Sequence, residues 1–442
     1  MIKHKSKRVA LMIAATFAAG GCSILNKKKP STPVLGDRIA VLSSESDVEI
    51  DPATAALPIN LPPPVANTEW TQSGGNSSKS MGQLALGGAS RLFSVNAGRG
   101  SSLAARLGSA PIVANGRVYT IDTMGSVRAF DASSGAAVWT AQTPSDRGGE
   151  GSLYGGGIAY DSGHIFATNG LGYVVSLDAN TGAVAWRVRP GGPLRGAPTV
   201  INGTLYVISQ DNQIYSLNAA SGATNWSAAA SLEVAGVFGS ASPAVSQGTV
   251  VAGFSSGELN AYRYENGRQV WQDNLQRTSV RTSVSSLNDV DADPVIDNGQ
   301  VFAVGQGGRM VALDLITGQR LWELNIAGID TPWVAGDWIY VLTDDAKLLC
   351  IARSNGHIRW INQLPEFLKA KSKRGEIEYS GPVLAGNRLI VTGGTGALIY
   401  IDPTTGATQG QVDLGTSVSL PPVVANSTLY IFDDRGQLHA FR

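Results

Sequence analysis

One proline-to-tryptophan spacing recurs along most of this chain and constrains its fold more than any other feature. The two residues lie 28 positions apart in five places: Pro111 and Trp139, Pro198 and Trp226, Pro243 and Trp271, Pro294 and Trp322, Pro332 and Trp360. Two further units keep the spacing with one partner replaced, Ile158 with Trp186 and Pro382 with Gly410. Seven units of one internal length indicate a repeat protein in which each unit packs against its neighbours.

Each unit has the pattern of four short strands. In the unit that begins at Pro198, apolar or β-branched runs cover residues 199–201, 205–209, 214–218 and 223–226. Asn-Gly and Ser-Gly pairs between such runs tolerate the positive φ angles that tight hairpin turns require. Four antiparallel strands in each unit of this length are typical of a propeller blade.

The two ends of the repeat give the number of blades. An eighth unit begins at Pro422, and because its tryptophan position would fall beyond Arg442, the unit has only three strands. One further strand-like run, residues 92–95, precedes the first unit. We expect it to supply the outer strand of the last blade, since that pairing closes the ring and removes an exposed edge. The predicted fold is all-β: an eight-bladed β-propeller of four-stranded antiparallel blades, the last closed by an N-terminal strand.

Charge and residue usage exclude several classes of function. The chain has 34 Lys and Arg residues against 34 Asp and Glu residues, so no net field favours binding to nucleic acid. Its four histidines form no metal-binding spacing, and its two cysteines, Cys22 and Cys350, form no disulfide framework. Four aspartates recur before turns and are more typical of turn caps than of catalytic acids: Asp131, Asp178, Asp314 and Asp402. The sequence therefore predicts no metal, no cofactor and no catalytic residue.

The first residues have the pattern of an export signal. Four basic residues precede eleven mostly apolar ones, too few to cross a bilayer as a helix, and four small residues then lead to Cys22. We expect residues 1–21 to be a lipoprotein signal peptide and Cys22 to be the acylated first residue of the mature chain; the alternative is an ordinary secretory signal with Cys22 incidental. Residues 22–68 are rich in proline and poor in periodic hydrophobicity, which predicts a flexible tether before a propeller over 69–442.

Units such as NGRVYTIDTMGSVRAFDASSGAAVW (residues 115–139) resemble the repeats of quinoprotein-type eight-bladed propellers. With the leader, the tether and the motif EWTQSGGN (residues 69–76), the chain is similar to the BamB family of lipoproteins, which belongs to the machinery that inserts β-barrels into the outer membrane. The resemblance implies a non-enzymatic scaffold, lipid-anchored to the outer membrane on its periplasmic side. It implies binding to the POTRA domains of BamA, and it leaves open contact with nascent outer-membrane proteins.

Two motifs give the residues that the resemblance marks for partner binding. PLRGAP (residues 193–198) is similar to the family's Leu-Arg-Gly element, and LNDVDADP (residues 287–294) to its Ser-Asp-Val-Asp element. Carried over, they mark Leu194, Arg195, Asp289 and Asp291. Arg195 and Asp291 each stand three residues before the first residue of a unit, so we expect them on one face, among the variable connectors between blades. Leu194 would there offer an apolar anchor.

Other interpretations of these residues stay open at this point. Arg195 could form a structural ion pair with Asp289 or Asp291, which would not exclude binding. The basic stretch 369–374 is either a solvated loop or a second contact patch. Trp333 and Trp338 lie outside the tryptophan register and are expected to pack within their blade. The alternative function is a PQQ-dependent quinoprotein dehydrogenase, which shares this propeller but commonly needs a vicinal disulfide that the chain lacks.

Overall fold

The computed structural model describes residues 48–88, 90–146, 153–194, 196–232, 241–276 and 288–442. Cys22 and Arg195, two of the residues marked from the sequence, lie outside these ranges. Among the described residues, no helix has the length and apolar character needed to span a membrane.

Eight antiparallel sheets of four strands each form the propeller, as the sequence predicts. The first strand along the chain, β1, spans Arg91–Asn96. Blades 1 to 4 contain, in chain order, β2 (Ile112–Ala114), β3 (Arg117–Ile121), β4 (Ser126–Asp131), β5 (Ala137–Gln142); β6 (Ile158–Asp161), β7 (His164–Thr168), β8 (Val174–Asp178), β9 (Val184–Val188); β10 (Thr199–Ile201), β11 (Thr204–Ile208), β12 (Gln213–Asn218), β13 (Thr224–Ala229); and β14 (Ala244–Ser246), β15 (Thr249–Gly253), β16 (Glu258–Arg263), β17 (Gln269–Asn274).

The remaining blades follow the same order, with one small sheet inserted between blades 6 and 7. Blades 5 and 6 contain β18 (Val295–Asp297), β19 (Gln300–Gly305), β20 (Arg309–Asp314), β21 (Arg320–Leu324); and β22 (Trp333–Ala335), β23 (Trp338–Leu342), β24 (Lys347–Ala352), β25 (Ile358–Gln363). A two-stranded hairpin, β26 (Phe367–Lys369) and β27 (Arg374–Glu376), comes next. Blade 7 contains β28 (Tyr379–Ala385), β29 (Arg388–Gly393), β30 (Ala397–Ile401) and β31 (Thr408–Asp413); blade 8 contains β32 (Val423–Ala425), β33 (Thr428–Phe432), β34 (Gln437–Phe441) and β1.

The ring closes through the N-terminal strand, which confirms the sequence prediction. β1 pairs antiparallel with β34, and Phe93 lies opposite Ala440 in the register. This pairing places Phe93 in the position that tryptophan holds in other blades, because Trp139 lies opposite Ala129 and Trp271 opposite Ala261. One blade therefore contains strands from both ends of the described chain.

The repeated tryptophans join neighbouring blades. Each indole N–H donates a hydrogen bond, 2.8–3.1 Å long, to a backbone carbonyl at the start of the next blade's last turn; the acceptors for Trp139, Trp186, Trp226, Trp271, Trp322 and Trp360 are Ala179, Ala219, Tyr264, Leu315, Arg353 and Pro403. Each indole ring also covers a glycine of that turn, such as Gly318 under Trp271. The spacing is constant because the tryptophan must reach this one turn from its own outer strand.

Blade 7 lacks the tryptophan for a structural reason. Gly410 occupies the position, and a Cβ built on it would meet no atom within 4 Å. The next blade has no covalent last turn, since its outer strand β1 comes from the other end of the repeat. A tryptophan at this position would have no such turn to cover.

The aspartates before the last turns are caps, as the sequence predicts. Asp314 Oδ1 accepts from the backbone N–H groups of Ile316 and Thr317 at 3.1 and 2.8 Å and from the Thr317 hydroxyl at 2.8 Å. The same pattern recurs at three other turns, at Asp131, Asp178 and Asp402. Cys350, Trp333 and Trp338 are buried within blade 6, as expected.

The chain preceding β1 runs around the inside of the ring. We call residues 67–84 the inner segment. Along it, successive residues hydrogen-bond to the first strand or first turn of blades 8, 1, 2, 3, 4, 5, 6 and 7 in that order, the pairs being Asn67 with Asn426, Trp70 with Val113, Thr71 with Tyr160, Gln72 with Val200, Ser77 with Val245, Ser78 with Ile296, Gly82 with Trp333 and Leu84 with Leu384. The inner segment therefore contacts every blade, an arrangement that the sequence analysis did not predict.

Residues 48–68 differ from the flexible tether expected over 22–68. Ile50 forms a parallel bridge with Ile358 on the outer strand of blade 6, and the Asp51 N–H donates to the Ile358 carbonyl at 2.9 Å. Asp51 caps a single helical turn, α1 (Pro52–Ala55), and its Oδ2 lies 2.9 Å from His357 Nδ1. These contacts hold the described part of the segment on blade 6 because the outer strand offers unpaired backbone groups.

Candidate partner-binding face

The two faces of the ring differ in their loops. On one face the first turn has two residues with positive φ in seven of the eight blades, for example Asn115 and Gly116 in blade 1. On the other, the connectors between consecutive blades are eight to twenty residues long. We call this second side the connector face. A rigid ring that places its longest and most varied loops on one side is suited to recognition there.

Leu194 lies in the connector before blade 3 and is fully buried. It forms an antiparallel bridge with Ser209 and belongs to a core cluster with Val207 and Tyr215. The side chain therefore supports the loop from beneath, which differs from the expected exposed apolar anchor. The Leu-Arg-Gly pattern gave no sign of this burial, because a short motif does not show which side of a loop faces the core.

Asp289 and Asp291 lie in the connector before blade 5, at different depths. Asp289 is buried, and its carbonyl accepts from the Gln306 N–H at 2.9 Å. Between them, Val290 packs against Gly253 of blade 4. A Cβ added to Gly253 would lie only 2.5 Å from Val290 Cγ1. Asp291 is only half-buried and lines the central cavity. The connector is thus fixed to blades 4 and 5 and presents Asp291 toward the ring axis.

The central cavity has a volume of about 290 Å³. Its walls come from the ends of the connectors, including Ala197, Ser242, Asp291, Asp330 and Ser419. The inner segment forms its floor with Trp70, Gln72, Ser73 and Lys79. Trp70 stacks on Trp333 there, with ring centroids 6.2 Å apart. The cavity is therefore bounded on one side by the protein's own N-terminal residues.

A buried ion pair fixes the floor of the cavity. Lys79 has no exposed side-chain surface; its Nζ donates to the Ser73 carbonyl at 2.8 Å and to Thr199 Oγ1 at 3.1 Å, and lies 4.0 Å from Asp293 Oδ2. Asp293 also accepts from Ser73 Oγ and from the Ser242 N–H, both at 2.6 Å. Burial lowers the pKa of Lys79 to about 8, although the charge of Asp293 opposes that shift.

A second carboxyl group in the cavity wall has no cationic partner among the described residues. Asp330 Oδ1 accepts from the Gly381 N–H at 3.0 Å. Burial raises the pKa of Asp330 to about 7, hydrogen bonds from Gly381 and Ser380 oppose that shift, and the nearby Asp344 adds to it. Neither Lys79 nor Asp330 belongs to a sequence motif, and only the closed ring brings the two residues to the same cavity.

Among the described residues, no three His, Cys, Asp or Glu side chains are grouped closely enough to hold a metal ion. The ion pair on the cavity floor is internal to the fold.

Comparison with known proteins decides the family. A family model described as outer membrane protein assembly factor BamB matches residues 100–153 and 123–362. The chain belongs to the BamB family. It is 32% identical to the outer membrane protein assembly factor BamB of Vibrio cholerae over 334 residues, which cover 74% of this chain and 82% of that protein. It is 25% identical to the BamB of Moranella endobia over 75% of this chain and 84% of that protein.

Solved structures show the same fold. The crystal structure of BamB from Moraxella catarrhalis superposes with a TM-score of 0.67 at 19% identity, covering 80% of this chain and 100% of that one. A europium-containing methanol dehydrogenase gives a TM-score of 0.65 at 14% identity, covering 82% of this chain and 89% of that one. At these identities the likeness shows the propeller alone. The family match assigns this chain to a family of outer membrane protein assembly factors.

Proposed function

We propose that this chain is a non-enzymatic subunit of the machinery that inserts β-barrels into the outer membrane, and that its connector face binds the POTRA domains of BamA. Its BamB relatives are named as outer membrane protein assembly factors. The observation that carries the proposal is the connector face itself, where the variable loops of a rigid ring surround the central cavity. Asp291 lies there, and Arg195 belongs to the connector before blade 3.

The revised role of Leu194 changes how this site works. Because Leu194 is buried, the contacts with a partner come from the polar residues around it, and Leu194 holds their loop in place. Asp289 acts in the same supporting way from its buried position. Arg195 and Asp291 are then the residues that contact the partner, as charged groups that steer and orient docking.

The quinoprotein dehydrogenase alternative is less well supported. The family model and the curated relatives are assembly factors, whereas the dehydrogenase likeness rests on fold at 14% identity. The inner segment also contributes Trp70 and Lys79 to the centre of the ring. The proposed scaffold uses the connector face around the central cavity and needs no ligand inside it.

Charge reversal tests the proposed face. Arg195→Glu and Asp291→Lys, singly and together, should reduce the BamA that co-purifies from detergent-solubilised outer membranes, while the thermal melting curve stays close to that of the unaltered protein. Asp337→Lys is the matched control, because Asp337 is exposed on the opposite face of the ring. Unchanged capture of BamA by the double variant would reject the site.

Membrane attachment is the second part of the proposal. We infer that Cys22 is acylated and that the protein is held on the periplasmic side of the outer membrane, as its leader pattern indicates. The intact mass of the mature protein should exceed that of its polypeptide by the mass of the acyl groups. Cys22→Ser should release the protein into the soluble fraction, and an unmodified mature terminus would contradict the assignment.

A further inference from the structure

The hairpin between blades 6 and 7 carries the densest positive charge in the described structure outside any recognised motif. Between β26 and β27 the chain forms a short 3-10 turn at Ala370–Ser372. Its four basic side chains are Lys369, Lys371, Lys373 and Arg374, all exposed. Among the residues that the structure describes, no carboxylate oxygen lies within 4.0 Å of their charged nitrogens. Glu366, Glu376 and Glu378 belong to the same connector, but none of them forms an ion pair with these four groups. Four like charges on one short hairpin repel each other, so an anionic surface would stabilise them.

The hairpin has a defined backbone structure. β26 and β27 pair through Phe367 with Glu376 and Lys369 with Arg374. Lys373 adopts a left-handed φ of 47°, and Gly375, with a φ of 70°, lets Leu368 pack against it. At the base, the Ile377 N–H donates to the Glu366 carbonyl at 2.9 Å. The basic side chains are therefore presented together by one backbone conformation.

One large apolar side chain stands among these charges. Leu368 is 66% exposed, between Phe367 and Lys369 on β26 and against Gly375 on β27. An exposed leucine next to Lys369 suits the boundary between lipid headgroups and acyl chains, because lysine stems can lie along apolar surface while their ammonium groups reach phosphate. An acidic protein surface would use the charges and leave Leu368 without a role.

The position of the hairpin agrees with this assignment. It follows β25, the outer strand of blade 6, and the described N-terminal residues dock on the same strand through Ile50 and Asp51. The described part of the chain thus first contacts the propeller at blade 6. The docking point is at the first residue of β25, Ile358, and the hairpin begins beyond its last residue, Gln363. A strand of this length spans about 20 Å, so the two features lie along one edge of the ring.

We propose that the edge of blade 6 faces the membrane, and that the hairpin contacts anionic phospholipid headgroups through its four basic side chains and Leu368. This inference rests on the lipid anchor in the proposed function. The anchor would hold the protein at the bilayer, and the hairpin would set its orientation. The hairpin is part of the connector between blades 6 and 7, whereas Arg195 and Asp291 belong to the connectors before blades 3 and 5, so the two proposed contacts use different loops.

Vesicle binding tests the hairpin without the anchor. The mature chain, residues 22–442, with Cys22→Ser should bind vesicles of phosphatidylcholine and phosphatidylglycerol, and bind poorly to phosphatidylcholine alone. Lys371→Gln, Lys373→Gln and Arg374→Gln together should lower the partition coefficient roughly tenfold or more. The matched control is Arg187→Gln, Arg263→Gln and Arg268→Gln, which removes three exposed charges from blades 2 and 4 and should change binding little. Binding should also weaken as salt rises from about 0.05 to 0.3 M, because the Debye length shortens.

A label reports whether the hairpin itself meets lipid. An environment-sensitive dye on Leu368→Cys should shift to the blue with anionic vesicles, whereas the same dye on Leu321→Cys, exposed on the outer strand of blade 5, should not. Equal binding by the hairpin and control variants, or no dye shift, would overturn the proposal. Intact vesicle binding with loss of BamA capture in the hairpin variant would assign the hairpin to a protein contact. Failure of acylation or of BamA capture by the Arg195 and Asp291 variants is measured separately and would not alter these assays.

Discussion

Phe93 lies against Gly135 across the junction between blades 8 and 1, so close that a Cβ on Gly135 would approach Phe93 Cδ2 to 2.6 Å. The same relationship joins Trp139 to Gly182 and Trp322 to Gly356 at other junctions. Phe93 therefore packs at the junction where the ring closes as a repeat tryptophan packs at the other junctions. It lacks only the indole N–H.

Phe93→Ala should destabilise the protein by about 2–3 kcal/mol, because it removes half-buried apolar surface at the closing junction. Chemical denaturation followed by tryptophan fluorescence measures the change. Phe93→Trp should keep or raise stability by up to about 1 kcal/mol, since its N–H could reach the Ala132 carbonyl, which now accepts from Tyr430 Oη at 3.0 Å. A large loss of unfolding free energy in Phe93→Trp would show that Phe93 does not occupy the position of a repeat tryptophan.

Gly318→Ala should cost about 2 kcal/mol or more of unfolding free energy. The residue has a φ of 70°, and a Cβ there would lie 2.5 Å from Trp271 Cγ. Gly299→Ala provides the control, because its φ is 77° with nothing within 4 Å of the added atom, so only the backbone strain of about 1 kcal/mol remains. Equal losses in the two variants would show that tryptophan packing does not restrict this glycine.

Asp330→Asn should stabilise the protein at neutral and mildly alkaline pH. The pKa of Asp330 is raised from 3.8 to about 7, so the folded state binds a proton more tightly than the unfolded state does. This group therefore contributes stability that is fully present below about pH 4 and lost as pH rises to 7. At pH 8 the amide should gain on the order of 2 kcal/mol, and at pH 4 little or nothing. Thermal melts at both pH values measure the difference. A gain in stability of the same size at pH 4 and pH 8 would show that the raised pKa of Asp330 is not its cause.

Asp51→Asn should loosen residues 50–55 from blade 6. The pKa of Asp51 is lowered to about 2 by hydrogen bonds from Thr54 and from His357, so its contribution is present above about pH 4 and lost as pH falls through 2. Hydrogen exchange at pH 7 should become faster in this segment and stay unchanged in the blades. Glu49→Gln serves as the control, since Glu49 is exposed beside the same segment. If residues 50–55 keep their protection from hydrogen exchange in Asp51→Asn, the backbone contacts alone hold the segment on blade 6.

The sequence predicts the blades well because each blade is a local unit with its own spacing and turns. The pairing of the run 92–95 with the last blade could be predicted from the missing fourth strand of the last unit. The path of the inner segment could not be predicted, because most of its hydrogen bonds to the blades are made by backbone groups, which carry no side-chain signal. Burial of Leu194 was missed for a similar reason, since loop depth depends on neighbouring blades.

Blade 8 joins the first strand along the chain to the last three, and the inner segment touches all eight blades before β1 begins. In a polypeptide that emerges from a translocation pore, β1 would have no strand to pair with until β34 arrived. The toroid therefore closes only after the strands of the last blade are available. A chain interrupted before Gln437 would keep β1 unpaired and open to association with other polypeptides, so quality-control proteases should recognise it.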